Sequence, residues 1–345
     1  MKRPFSVFIV ALAVFWLTMA QPTSHDEHIR QAWAWLNGHA WIDDTPIHEQ
    51  IQWRGHFYEV HPPLGAIVCI PFMFEGIFNQ TFVSVTIGAL AVSIAYLLTE
   101  SLWLTVFFAS AIWYEATLGA AWGFLLVLST IPTMLALTRK SALATGFWAG
   151  LAALARYDLV MVFPVYAFLK RSFWILPGFL FATICYVAYA YGRFGTFHDI
   201  GYQEWYKIDP YSHVANHGML SWHYIPYNLY TAFLMMPHFT AQFPWIRPHC
   251  EGQALLTISP ARLIALRSRC WMMWAAVILS MAAPLLVYAN GGEQFGARYW
   301  IQAMPFFLVL MKDGWRDSWL DKTLVVLSVI LVGTGMLTVR VYGFA

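Results

Sequence analysis

Residues 81–98 read TFVSVTIGALAVSIAYLL, an uninterrupted run without a charge or a proline. A helix rises about 1.5 Å per residue, so such a run approaches the ~20 residues that cross the hydrocarbon of a bilayer. Comparable stretches recur at roughly 63–79, 101–114, 117–138, 142–155, 159–169, 173–191, 254–266, 271–289, 299–311 and 323–339, and a first one lies near the start. They leave no stretch long enough for a separate soluble domain. The composition agrees: of 345 residues 59% are hydrophobic and 11% charged, with mean hydropathy +0.56, where a soluble domain carries about 25% charged residues. The expected fold is therefore all-α, a polytopic integral membrane protein of ten to twelve transmembrane helices with helices in its external loops, forming a single domain over residues 1–345.

Charge sets an orientation. Lys2 and Arg3 precede the first span, so the tendency of basic residues to stay cytoplasmic puts the N-terminus inside and residues 21–62 outside. That loop holds six acids (Asp26, Glu27, Asp43, Asp44, Glu49, Glu59) against two bases (Arg30, Arg54). Arg139-Lys140, Lys170-Arg171, Arg267 with Arg269, and Lys312 with Arg316 mark the inner face, which leaves 192–253 and 290–298 outside. Four crossings between 63 and 138 would put Arg139-Lys140 on the wrong side, so one of those segments is expected to be partial. A hairpin over 142–169, with Arg156-Tyr157-Asp158 at its tip, satisfies both flanking basic pairs. The opening MKRPFSVFIVALAVFWLTMAQ also fits a cleaved signal peptide with Ala20 at its end, but so hydrophobic a chain needs a first span and an uncleaved helix is the reading adopted. The net charge of +2 implies no nucleic-acid partner. Cys69, Cys185, Cys250 and Cys270 show neither metal-ligand spacing nor a disulfide framework.

All twelve histidines fall in the two long external loops: His25, His28, His39, His48, His56 and His61, then His198, His213, His217, His223, His238 and His249. Tryptophans accompany them. Two explanations stay open, an aromatic belt at the membrane interface and stacking on a sugar ring.

Within the first loop, SHDEH at 24–28 contains Ser24 and, three residues on, Glu27, the spacing of a capping box. A helix is expected from there to Leu36, stopped by Asn37-Gly38, with Ile29, Ala32, Trp33 and Leu36 as its apolar stripe along the membrane surface. The box would occupy Glu27 and leave Asp26 without a local role beyond first-turn dipole stabilisation and a pair with Arg30. EVHPPLG at 59–65 fixes the entry to the next span, because proline suits a first helical turn and not an interior. That holds His61 at the membrane surface.

An external Asp-Glu after a hydrophobic first helix, the VHPPLG entry, GFWAGLAALARYDLVMVFP at 146–164, GQALLTISPARLIAL at 252–266 and FGARYWIQAMPFF at 295–307 together resemble, in order along the chain, the membrane glycosyltransferases of GT-C architecture that use polyprenyl-phosphate sugars. The protein O-mannosyltransferases and the lipid A aminoarabinose transferase are of this kind. The resemblance implies an inverting transfer at the outer face of a membrane, a bacterial inner membrane by that analogy, from a polyprenyl-phosphate sugar donor to a lipid, glycan or protein acceptor. It gives Asp26 the role of catalytic base with Glu27 beside it, and assigns the donor phosphate to His61, Arg298 and Tyr299. Glu115, Arg156 and Asp158 are secondary candidates, each with a structural alternative: Glu115 as the end of a partial span, Arg156 and Asp158 as a mutual ion pair, and Arg298 as the local partner of Glu293. The chain is shorter than the well-known members, and Asp43-Asp44 is adjacent and not the Asp-x-Asp of the metal-dependent oligosaccharyltransferases. No metal is expected to be required, although HDEH itself remains able to bind a divalent ion.

Two other classes compete. In a transporter or flippase, Glu75, Glu115, Arg156 and Asp158 would line a pathway, but no internal repeat is visible. A histidine-loop metalloenzyme lacks the HExxH spacing, since the two histidines of HDEH are three residues apart.

Overall fold

The computed structural model describes residues 2–42, 49–73, 79–209, 215–289, 291 and 294–344. Asp43, Asp44, His48, Glu75, His213 and Glu293 lie outside them. The described chain is all-helical apart from two short antiparallel hairpins. It forms two compact units, one of Leu12–Gly88 and Glu115–Val214, the other of Met1–Ala11, Ala89–Tyr114 and Ala215–Ala345.

The helices are, in order, α1 Lys2–Leu17, α2 Glu27–Leu36, α3 Leu64–Cys69, α4 Gln80–Thr99, α5 Leu102–Leu118, α6 Ala121–Thr138, α7 Ala142–Ala155, α8 Phe163–Lys170, α9 Leu176–Phe194, α10 Gly201–Ile208, α11 Ile225–Phe233, α12 Leu255–Ile258, α13 Trp271–Leu286, α14 Met304–Gly314 and α15 Trp319–Tyr342. Four stretches are long and apolar enough to cross a membrane: α4, α6, Phe173–Phe194 containing α9, and α15. Four shorter apolar helices accompany them, within α1 and at α5, α7 and α13. The ten to twelve spans expected from the apolar runs are thus too many among the described residues. The run at 254–266 breaks at Ser259-Pro260 into α12 and a 3-10 helix. The run at 299–311 likewise divides into a 3-10 turn and the eleven-residue α14.

Between 63 and 138 the partial segment is the first one: α3 has six residues and ends in a 3-10 turn carrying Pro71, whereas α4, α5 and α6 are full helices. The expected hairpin also forms. α7 and α8 are joined through a 3-10 turn at Tyr157–Val162, and Lys170 Nζ donates to the Arg139 carbonyl, which brings the two basic pairs to the same end. Gly146 and Gly150, four residues apart in GFWAG, let α7 meet the segment at Ile175, Gly178 and Ala182 with backbones nearly touching. Small residues at this spacing are what close helix packing requires.

The first loop carries a β-hairpin that the all-helical expectation omitted. β1 Gln50–Trp53 pairs with β2 His56–Glu59, Trp53 opposite His56. The two turn residues, Arg54 and Gly55, have φ of 50° and 85°, the left-handed pair that a tight hairpin demands. Ile51, Tyr58 and Val60 pack with Phe194 and Ile200 into a small core that fixes the hairpin to the end of α9.

Candidate functional site

Helix α2 starts at Glu27, with Asp26 as its N-cap residue, and ends before Asn37-Gly38 as expected. The capping box is not made: no side chain of the local sequence caps the helix. Gln80, the first residue of α4, takes over that work. Its Oε1 accepts the backbone N–H groups of His28 (3.1 Å) and Ile29 (3.2 Å), while its Nε2 donates to the carbonyls of His25 (2.9 Å) and Gly119 (2.8 Å). One buried amide thus satisfies two orphan donors of the helix end and ties SHDEH to α4 and the α5–α6 turn.

With the cap supplied by Gln80, Glu27 loses the capping role expected for it, while the expected pair of Asp26 with Arg30 forms. Asp26 forms the i, i+4 pair, Arg30 Nε to Oδ1 at 2.6 Å, and keeps part of its side chain accessible. Glu27 is fully buried. Neither of its carboxylate oxygens has a hydrogen-bond partner among the described residues, and His25 Nδ1 stands 3.9 Å away. Burial above all, then the neighbouring Glu49 charge and further Glu59 and Asp26, push its carboxyl well above the ordinary glutamate range, with its own backbone amide pulling the other way. The apolar stripe of α2 also divides: Ile29 and Ala32 are buried together with Glu27, His28 and Gln31, while Trp33 and Leu36 are exposed. The inner face of α2 is thus mixed, with three polar side chains, Glu27, His28 and Gln31, beside Ile29, Ala32 and Ala34.

Around Glu27 lie two buried histidine–carboxylate pairs. His28 Nδ1 contacts Glu59 Oε1, and Nε2 lies 3.1 Å from the Ala121 carbonyl. His61 Nε2 is 2.7 Å from Glu49 Oε2, and its Nδ1 is 3.1 Å from the Tyr202 hydroxyl. Both ring nitrogens of His61 are therefore engaged, and its carbonyl accepts from the Tyr189 hydroxyl at 3.2 Å. The two rings stand 5.2 Å apart. HPPLG explains its glycine here, because a Cβ on Gly65 would lie within 2.9 Å of the His28 ring. Gly65→Ala is expected to displace that ring and destabilise the protein by about 1–3 kcal/mol, read as a lower Tm with the helical circular dichroism kept.

The shell is closed by Arg193 at the end of α9. Its Nη1 donates to the Glu59 carbonyl at 2.5 Å, its Nη2 pairs with Asp199, and its guanidinium lies 3.6 Å over the Tyr189 ring. Asp199 also accepts from the Tyr157 hydroxyl at 3.0 Å. Gln80, Glu49, Glu59, Arg193 and Asp199 carry the arrangement, and sequence reading assigned none of them a role. A lone arginine in YGRFG at the end of an apolar run was the available signal for Arg193.

Of the secondary candidates, Glu115 is buried one turn before Gly119, its carboxylate against the bare backbone of Gly123. Arg156 and Asp158 pair with each other at 3.2 Å, the structural alternative for both. Arg298 and Tyr299 belong to the other unit. Arg298 is buried, its N–H donates to Gln294 Oε1 at 3.0 Å, and its guanidinium lies 5.8 Å from the Tyr299 ring. Tyr299 lines a small pocket with Asn228, Thr231, Met281, Leu285 and Trp300. HDEH does not converge on one point: His25 packs on Trp122 at 4.6 Å, Asp26 on Arg30 and His28 on Glu59. Among the described residues no group of three or more histidine, cysteine, aspartate or glutamate side chains is placed to hold a metal ion. Several loop histidines stack on one another or on tryptophan, as in His39–Trp41–His56 and Trp222–His223–His217, which accounts for part of their enrichment.

No family model, curated protein or solved structure matches the chain.

The raised Glu27 carboxyl has a consequence for stability. The folded state binds this proton more tightly than the unfolded chain, so the contribution of Glu27 is full below the unfolded value and is lost as pH rises through the folded one. A thermal-melting series is expected to show wild-type Tm falling between pH 5 and 8 more steeply than that of Glu27→Gln. At pH 8 the variant should be more stable by about 1–3 kcal/mol, the scale of one unsatisfied buried polar group.

Proposed function

We propose that this chain is a multi-span membrane glycosyltransferase that moves a sugar from a polyprenyl-phosphate carrier to a lipid, glycan or protein acceptor at the outer face of a bacterial inner membrane, with its N-terminus in the cytoplasm. The observation that supports it best is the setting of Asp26: a partly accessible carboxylate at the first turn of α2, held by Arg30 on one oxygen, above a buried layer of histidine–carboxylate pairs that keeps the loop in place. Polyprenyl phosphate leaves readily, so the reaction needs chiefly a base. Asp26 takes the proton of the acceptor hydroxyl or amine as that group attacks the anomeric carbon opposite the phosphate, and a single displacement inverts the centre. Glu27, buried beneath it, supports the loop instead of meeting the acceptor.

The test is turnover of a panel of radiolabelled polyprenyl-phosphate sugars by purified protein in native lipid extract, with and without EDTA. Transfer that survives EDTA supports a metal-independent transferase. Transfer abolished by EDTA and restored by a divalent ion would move the chemistry to a metal. No transfer from any donor overturns the proposal and directs attention to transport.

A further inference from the structure

The 3-10 helix Pro260–Arg267 in the SPARLIAL stretch holds a buried cation that no carboxylate accompanies among the described residues. Arg262 is only 7% exposed. Its Nη2 lies 3.5 Å from the Met304 sulfur and its guanidinium carbon 5.9 Å from the Phe307 ring, both on α14. Nε and Nη1 have no hydrogen-bond partner among the described residues. The segment is not loosely placed, since the N–H of Ala261 donates to Ser328 Oγ of α15 at 3.0 Å.

A guanidinium stays protonated in proteins and presents five donors in a fixed fork. A thioether and an aromatic face satisfy it poorly, and a buried charge without a counter-charge is among the most destabilising features a fold can carry. Buried Arg193 has Asp199 and a carbonyl, and Arg267, five residues on from Arg262, has Asp321 at 2.6 Å. Arg262 is the exception of the three. On the same segment, Leu263 is 38% exposed and Leu266 67% exposed, apolar surface suited to acyl or prenyl chains.

We infer that Arg262 binds the phosphate of a lipid, its fork on the phosphate oxygens and the lipid chains against Leu263 and Leu266. The inference rests on the membrane reading of the apolar helices and not on sugar transfer, so its test measures binding alone. Delipidated protein in a neutral detergent is melted with dioleoyl phosphatidic acid, with dioleoylglycerol, and with inorganic phosphate, for wild type and for Arg262→Met, a substitution that keeps volume and removes charge.

Phosphatidic acid is expected to raise wild-type Tm by several degrees, dioleoylglycerol to leave it unchanged, and Arg262→Met to lose the response while melting at or above the lipid-free wild type. An Arg262-dependent rise with inorganic phosphate alone would overturn the lipid and leave a free phosphate ion as the ligand. Equal responses of the two proteins to phosphatidic acid would overturn the site. So would a lipid-free Arg262→Met that melts well below a wild type indifferent to every additive, because Arg262 would then act only in packing. Should Arg262→Met not accumulate, Arg262→Lys replaces it: the charge is kept, the fork is lost, and the shift with phosphatidic acid should shrink by more than half.

Discussion

Asp26→Asn is expected to lower sugar transfer by about 10²–10⁴-fold, the usual worth of a general base, while Glu27→Gln stays within roughly tenfold of wild type, since no proton transfer is asked of a fully buried group. The contrast follows from accessibility. An acceptor can reach the partly open Asp26, whereas Glu27 is closed off beneath α2 with the Glu49 and Glu59 carboxylates as neighbours. Loss of fold cannot imitate the first effect. Removing the Arg30 pair costs about 0.3–0.5 kcal/mol, as for other i, i+4 pairs near a surface, which leaves the folded fraction almost untouched. Initial rates with a fixed donor and saturating acceptor, for wild type and both variants, decide the matter. Loss in Glu27→Gln alone would make Glu27 the base and require α2 to lift. Full activity in both would move the base to Glu115 or Asp158.

Local features of this site were legible in the sequence and distant ones were not. The end of α2 at Asn37-Gly38 and the turn at Arg156-Tyr157-Asp158 depend on residues adjacent in the chain, and both formed as read. The start of α2 did not, because its cap is the side chain of Gln80, 52 residues from His28. The pair of Asp26 with Arg30, four residues apart, is local and forms as expected, whereas Glu27, expected to close a capping box, is buried with no hydrogen-bond partner for its carboxylate among the described residues. The hairpin was legible but unread: QIQW and HFYE flank Arg54-Gly55, a two-residue turn ending in glycine. Its importance lies in what it carries, since Glu59 closes β2 and Glu49 precedes β1. Apolar runs misled in the opposite direction. Hydropathy registers composition over a window, and 254–266 is apolar enough, yet Pro260 after Ser259 ends a helix of four residues.

Arg193→Met is expected to cost about 3–5 kcal/mol of stability, the range for breaking a buried ion pair from one side, and to lower Tm by on the order of 10 °C. Three contacts go at once: Asp199 is left buried beside the Tyr157 hydroxyl, the Glu59 carbonyl loses its donor, and the Tyr189 ring loses the cation over its face. Most of the cost comes from the stranded Asp199 charge. Asp199→Asn in the same chain should therefore recover part of it, giving a coupling energy above about 1 kcal/mol in a double-mutant cycle. Arg193→Lys should fall between wild type and Arg193→Met, because an ammonium keeps the charge but lacks the planar fork that serves Asp199 and the Glu59 carbonyl together. A cost below about 1 kcal/mol for Arg193→Met, or strict additivity with Asp199→Asn, would mean that the clamp is not formed. With the clamp intact, β2 is fixed to the end of α9, Glu59 is fixed with β2, and His28 is fixed by Glu59. The setting of Asp26 one turn away depends on that chain of contacts, so transfer by Arg193→Met should fall in kcat more than it rises in acceptor KM.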